Sequence, residues 1–197
     1  MPLNDHLKLY SLIIGQILMT LSSFFLRNDG SNSFNAAMLI FLSMLFWTLG
    51  FMGIFDQMKK IWPWYSFLGL LYAIYGTFGR VLFTIEGLFA QALSLPARAG
   101  IEASERYPTI MAFVIHQSVP AFPMSILVLG VMLAIAKVVK GYTGLLVYLA
   151  GICFPLGRVL HLPWVTHFTD ILLLSGMILV VISFTNGKTQ GTKRYTY

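Results

Sequence analysis

Charged side chains inside long apolar runs are the residues of this sequence that could do chemistry. Arg80 and Arg158 interrupt two such runs; Glu86 places a carboxylate in the run of Arg80, and Asp170 places one in another run. A charge in the hydrocarbon of a bilayer costs at least about 2.5 kcal/mol on insertion scales, so such residues are functional candidates by default. Because a guanidinium matches the geometry of carboxylate and phosphate, the two arginines are expected to clamp a small anionic ligand.

The predicted ligand site contains these charges and two uncharged polar residues. Its members are Arg80, Arg158, Glu86, Asp170, Tyr72 and Gln117. Tyr72, Gly76 and Arg80 follow one another at steps of four, which predicts a common stripe on a helix. The four charges also balance, two positive and two negative, so a purely structural network of buried ion pairs is the competing interpretation.

Three histidines suggest a second chemistry, the binding of a metal or a haem. They are His116, His161 and His167. With Asp170 or Glu86 they could supply three or four ligands to Zn²⁺ or Fe. A haem would need histidines from neighbouring helices, with the arginines on its propionates. However, there is no tight His-x-x-x-His spacing, and a Pro163-Trp164 turn separates two of the histidines, so histidines bonded to backbone or headgroups are the simpler interpretation.

Composition dictates the element type that must position these residues. Of 197 residues 57% are hydrophobic and 10% are charged, whereas a soluble domain carries roughly 25% charged residues. Long apolar runs near the roughly 20 residues of a spanning helix recur along the chain. We therefore predict an all-α, polytopic integral membrane protein, one domain of six transmembrane helices. The predicted spans are about 9–26, 36–55, 67–90, 109–139, 142–162 and 165–184.

Two of the spans carry more specific expectations. The fourth is too long for a straight span, and Pro120 and Pro123 predict a kinked helix there, with a re-entrant piece before a shorter helix as the alternative. The second has few polar residues beyond Ser43 and Thr48, so we expect it to face lipid.

The distribution of Lys and Arg predicts the orientation. The amino end, the second and fourth loops and the tail hold eight of these residues, against three in the first and third loops. By the positive-inside rule both ends are expected in the cytoplasm, in a plasma or inner membrane. The net charge of +6 is thus a topology signal, and no nucleic-acid partner is expected. At about 1.5 Å per residue, every ionisable group within the spans lies in the outer half.

Small residues and a short repeat leave further possibilities open. The sequence Gly-Arg-Val-Leu occurs at 79–82 and 157–160, on helices of the same direction, which would fit a duplicated hairpin. Gly50 and Gly53 could meet helices of other membrane subunits. Ser118 near His116 would be available to a hydrolase.

We therefore expect binding or passage of a small anionic ligand, through a pocket open to the outer side. A metal- or haem-binding enzyme or redox protein, and an accessory subunit of a larger complex, are the alternatives; whether the chain is an enzyme is left open.

Overall fold

The chain forms long helices, as expected. The computed structural model describes residues 3–26, 32–94, 105–160 and 162–191, with the backbone alone for residues 90, 91, 115, 116, 159 and 187–191. Within these ranges the regular elements are helices, apart from an isolated bridge between Leu26 and Asn32. The helices are α1 Leu3–Ser22, α2 Phe34–Met58, α3 Pro63–Ala92, α4 Pro108–Met111, α5 Ser118–Ile135, α6 Gly141–Val159 and α7 Pro163–Gly191. The all-helical prediction is confirmed for this part of the chain.

Five helical runs of the described residues are long and apolar enough to cross a membrane. They are Leu3–Phe25, Phe34–Met58, Pro63–Phe89, Pro108–Ile135 and Pro163–Asn186. The helix α6 is 19 residues long but carries Arg158 and four glycines, and it is not among the five. The described residues therefore contain six long helices.

Local sequence explains where several helices begin. Proline has no N–H and a helical φ, which suits the first turn of a helix, and Pro63, Pro108 and Pro163 each begin one. Ser33 caps α2, since its hydroxyl oxygen accepts from the N–H of Ala36 at 3.2 Å. These signals place the helix starts a few residues before the apolar runs.

The fourth apolar run is one helical segment with a break in its regular pattern. Between α4 and α5 the backbone forms a π-helical turn, Ala112–His116, and the N–H of Gln117 bonds to the carbonyl of Ala112 at 2.9 Å. Proline at position 120 cannot donate to the carbonyl four residues earlier, which disfavours a regular α-helix there. The irregularity predicted for this run is thus a π turn within a helical segment.

The six long helices form a closed ring. Each packs against the next in the order α1, α2, α3, α5, α6 and α7, and α7 packs against α1. Buried aromatic rings cross the interior: the ring of Phe122 is 5.4 Å from Trp47 and 5.5 Å from Phe154, edge to face in both cases. Such edge-to-face pairs are a favourable aromatic geometry, and they place Phe154 of α6 in the core.

The expectation that the second helix faces lipid is wrong for one of its faces. Ser43, Trp47 and Phe51 of α2 are buried, and the hydroxyl of Ser43 donates to the carbonyl of Gly15 at 2.7 Å. Because lipid tails are as apolar as the side chains of a core, the lack of polar residues on a helix does not indicate that it faces lipid.

Candidate functional site

The predicted charges Arg158 and Asp170 form a buried ion pair between α6 and α7. Nη2 of Arg158 lies 2.9 Å from Oδ1 and 3.3 Å from Oδ2 of the carboxylate. The side chain of Asp170 is 0% exposed and that of Arg158 17%. In addition, Nη1 of Arg158 donates to the backbone carbonyl of Phe154 at 3.4 Å. The Cζ atom of Arg158 lies 3.7 Å from the centre of the Phe154 ring. Arg158 is therefore fixed on three sides by its own helix and by α7.

Helix α1 joins this ion pair through Gln16. Its side-chain amide is fully buried, and Nε2 donates to the backbone carbonyl of Asp170 at 3.1 Å. Among the residues described, Oε1 of Gln16 has no hydrogen-bond partner. Helices α1 and α7 thus meet at the ion pair, where the acceptor Oε1 of Gln16 has no partner among the described residues.

Arg80 lies close to the same aromatic ring but has a different environment. It is 9% exposed, its Cζ is 5.9 Å from the centre of Phe154, and the charges of Arg158 and Asp170 both act on it. Within the described ranges, Nε of Arg80 has no hydrogen-bond partner, and the Asp170 carboxylate is bonded to Arg158. Two guanidinium groups therefore lie near one aromatic ring, and the Asp170 carboxylate is bonded to one of them, Arg158.

The other three residues of the predicted ligand site do not join this cluster. Glu86 is half-buried on α3, and it forms no salt bridge with any residue that the structure describes. Tyr72 is 43% exposed on the outside of the bundle, and Gln117 is exposed beside the π turn. The structure brings together Arg80, Arg158 and Asp170.

His167 is the one predicted metal ligand whose side chain is described. Its Nδ1 lies 3.0 Å from Oγ of Ser23, and its ring stacks on Phe24 with 4.7 Å between the centres. In the described part of the chain no group of three His, Cys, Asp or Glu residues could hold a metal. His161 and the side chain of His116 lie outside it, so binding of Zn²⁺, Fe or haem by these histidines stays a prediction.

The two Gly-Arg-Val-Leu segments make the same type of contact with the helix that follows. A Cβ on Gly79 would overlap Ser118 at the start of α5. A Cβ on Gly157 would lie 2.8 Å from the backbone nitrogen and 2.9 Å from Oγ1 of Thr166 near the start of α7. The hydroxyls of Ser118 and Thr166 both donate to the carbonyl four residues earlier. Each glycine thus lets the next helix approach closely, and each places an arginine beside that contact.

Sequence reasoning missed Phe154, whose ring lies near both guanidinium groups. Nothing in the sequence distinguishes it from the other fifteen phenylalanines, because its role arises from the packing of α6 between α5 and α7.

No protein-family model, no curated protein and no solved structure matches this chain.

Proposed function

We propose that this chain is a multi-pass membrane protein that binds, and allows the passage of, a small anionic ligand at Arg80. The observation that carries the proposal is that the guanidinium of Arg80 is buried and that its Nε has no partner among the described residues. It is 9% exposed, and none of the described residues accepts a hydrogen bond from its Nε. An uncompensated buried charge costs several kcal/mol, and an anion bound at Arg80 would offset that cost.

The outer surface of the ring supports a position in a bilayer. Large apolar side chains point outward along the helices, among them Phe67, Phe78 and Phe168, each about 60% exposed. Helices satisfy their own backbone groups and can therefore expose such surfaces to lipid. With both ends in the cytoplasm, as the distribution of Lys and Arg favours, the cluster lies in the outer half of a plasma or inner membrane.

The two arginines have different roles in this proposal. Arg158 is held by Asp170, by the carbonyl of Phe154 and by its aromatic ring, so it keeps the carboxylate in place. Arg80 supplies the ligand contact, since a guanidinium presents five N–H donors in a planar fork that fits a carboxylate or phosphate. The ring of Phe154 gives the site an apolar wall.

The proposal is tested by the effect of anions on thermal unfolding of the protein in nanodiscs. Acetate, nitrate and phosphate are added to the wild type and to the variants Arg80→Met and Arg106→Met. The second variant is the matched control, because it removes the same charge from an exposed position. At one hundred times the dissociation constant a ligand stabilises by about 2.7 kcal/mol.

We expect one or more of these anions to raise the unfolding temperature of the wild type and of Arg106→Met, and to leave Arg80→Met unchanged. An equal response of all three proteins, or a response of none to any of the anions, would contradict the assignment of Arg80 as the anion-binding residue.

A further inference from the structure

We infer that the site at Arg80 selects anions with a single negative charge, such as monocarboxylates, and that Asp170 sets this selectivity. The inference rests on the proposed anion-binding function and adds the charge of the ligand. Its basis is the number of charged groups around Phe154, where two guanidinium groups face one carboxylate.

The helices around the cluster add no further charge near it in the part of the chain that is described. α5 has no Asp, Glu, Lys or Arg at all. The ion pair of Lys8 with Asp56, at 2.7 Å, belongs to the other end of α1 and α2. Glu86, six residues beyond Arg80, forms no salt bridge with any described residue. With histidines neutral, the cluster therefore carries one excess positive charge.

A comparison of the two helix pairs that contain the repeated segments, α3 with α5 and α6 with α7, explains why two arginines have one carboxylate between them. In the α6–α7 hairpin Asp170 lies four residues, about one helical turn, after Thr166, the residue that touches Gly157. In the pair of α3 and α5 the residue four positions after Ser118 is Phe122, a buried aromatic residue of the core. The position that Asp170 occupies in the pair of α6 and α7 is thus occupied by a phenylalanine in the pair of α3 and α5. The excess positive charge therefore results from the residue that each helix pair places at this position.

This arrangement of charges favours a ligand with one negative charge. A monovalent anion neutralises the excess charge of the cluster, whereas a divalent anion leaves a net negative charge among apolar side chains. The desolvation cost of an ion rises with the square of its charge. The nearest hydroxyl on the same helix, that of Thr84, is already bonded to the carbonyl of Arg80 at 2.8 Å, so it does not offset a second charge.

The experiment compares two anions of the same carbon number, propionate and malonate. Their dissociation constants are measured by calorimetry on the protein in nanodiscs at pH 8, where an ordinary histidine is neutral and malonate is fully ionised. The proteins are the wild type, Asp170→Asn, Glu86→Gln and Arg80→Met. Asp170→Asn removes the counterion from the cluster, and Glu86→Gln is the control because it removes a carboxylate that lies outside it.

We expect the wild type and Glu86→Gln to bind propionate more tightly than malonate. In Asp170→Asn the ratio should shift toward malonate by about tenfold, the order expected for one unit charge acting across about 10 Å in a protein interior.

Tighter binding of malonate than of propionate by the wild type would overturn the inference and leave the anion site standing. Binding of neither anion by the wild type, or equal binding by wild type and Arg80→Met, would contradict the anion site itself. The wild-type ratio decides the charge of the preferred ligand even where Asp170→Asn does not fold, and an unchanged ratio in a folded Asp170→Asn would overturn the role of Asp170.

Discussion

The two buried arginines should have opposite effects on stability when each is replaced by methionine. Arg158→Met leaves Asp170, whose side chain is 0% exposed, without its bonds at 2.9 and 3.3 Å. Removing one partner of a buried ion pair costs about 3–5 kcal/mol, since an uncompensated charge stays behind. Arg80→Met removes a buried cation whose Nε has no partner in the described ranges, and relief of an unsatisfied group is worth about 1–3 kcal/mol.

The measurement is thermal unfolding of both variants in one detergent, at the lowest workable salt concentration and without added carboxylates. With about 2–4 °C per kcal/mol for a chain of this size, Arg158→Met should unfold on the order of 10 °C below the wild type. Arg80→Met should unfold at or above the wild-type temperature. The double variant Arg158→Met with Asp170→Asn should recover most of the loss, because it contains no unpaired buried carboxylate.

Equal destabilisation by the two single variants would refute the reasoning, since it would mean that Arg80 is held by partners as firmly as Arg158 is. Failure of the double variant to recover stability would show that the loss comes from packing of the long side chain against Phe154 and not from the carboxylate.

Two further predictions concern how the ring is held together. Gly79→Val should lower the unfolding temperature sharply, because a side chain there overlaps Ser118. Gly87→Val on the same helix has open space around it and should change the unfolding temperature little. Similar losses in the two variants would contradict the close contact of α3 with α5. Ser43→Ala should lower the free energy of unfolding by about 0.5–1.5 kcal/mol, because it removes the hydrogen bond to the carbonyl of Gly15. Ser175 is exposed and bonded within its own helix, so Ser175→Ala should cost less in the same denaturation assay.

Apolar length predicts the helices of this protein better than it predicts their faces. Five of the six runs are near the length of a span, and the longer fourth run also forms one helical segment, so the number of long helices follows from counting. A helix that is apolar on all sides gives no signal for which side is buried, which is why the buried face of α2 could not be found. Tyr72 and Arg80 are eight residues apart, and eight residues turn a helix about 80° past two full turns. The steps of four therefore drift, and Tyr72 lies outside the bundle while Arg80 lies inside.

The charges were predictable as a group but not as partners. Depth along the helices placed Arg80, Arg158 and Asp170 in the same half of the membrane, and the structure brings these three together. Which arginine pairs with the aspartate depends on the order of the helices in the ring, and that order puts α6 beside α7. In the sequence Glu86 supplies the second negative charge that balances the two arginines. On the helix, however, it lies roughly 120° around from Arg80, so the two do not face the same side.

The pairing of α6 with α7 also has a consequence for how the protein enters a membrane during synthesis. If the ring lies in a bilayer as proposed, α6 brings a cation into lipid when it inserts, because Arg158 lies in its last turn. Its counterion follows on α7, after a connection of three residues, 160–162. The translocon would then release these two helices together as a hairpin, and the ring would close only when this last pair reaches α1.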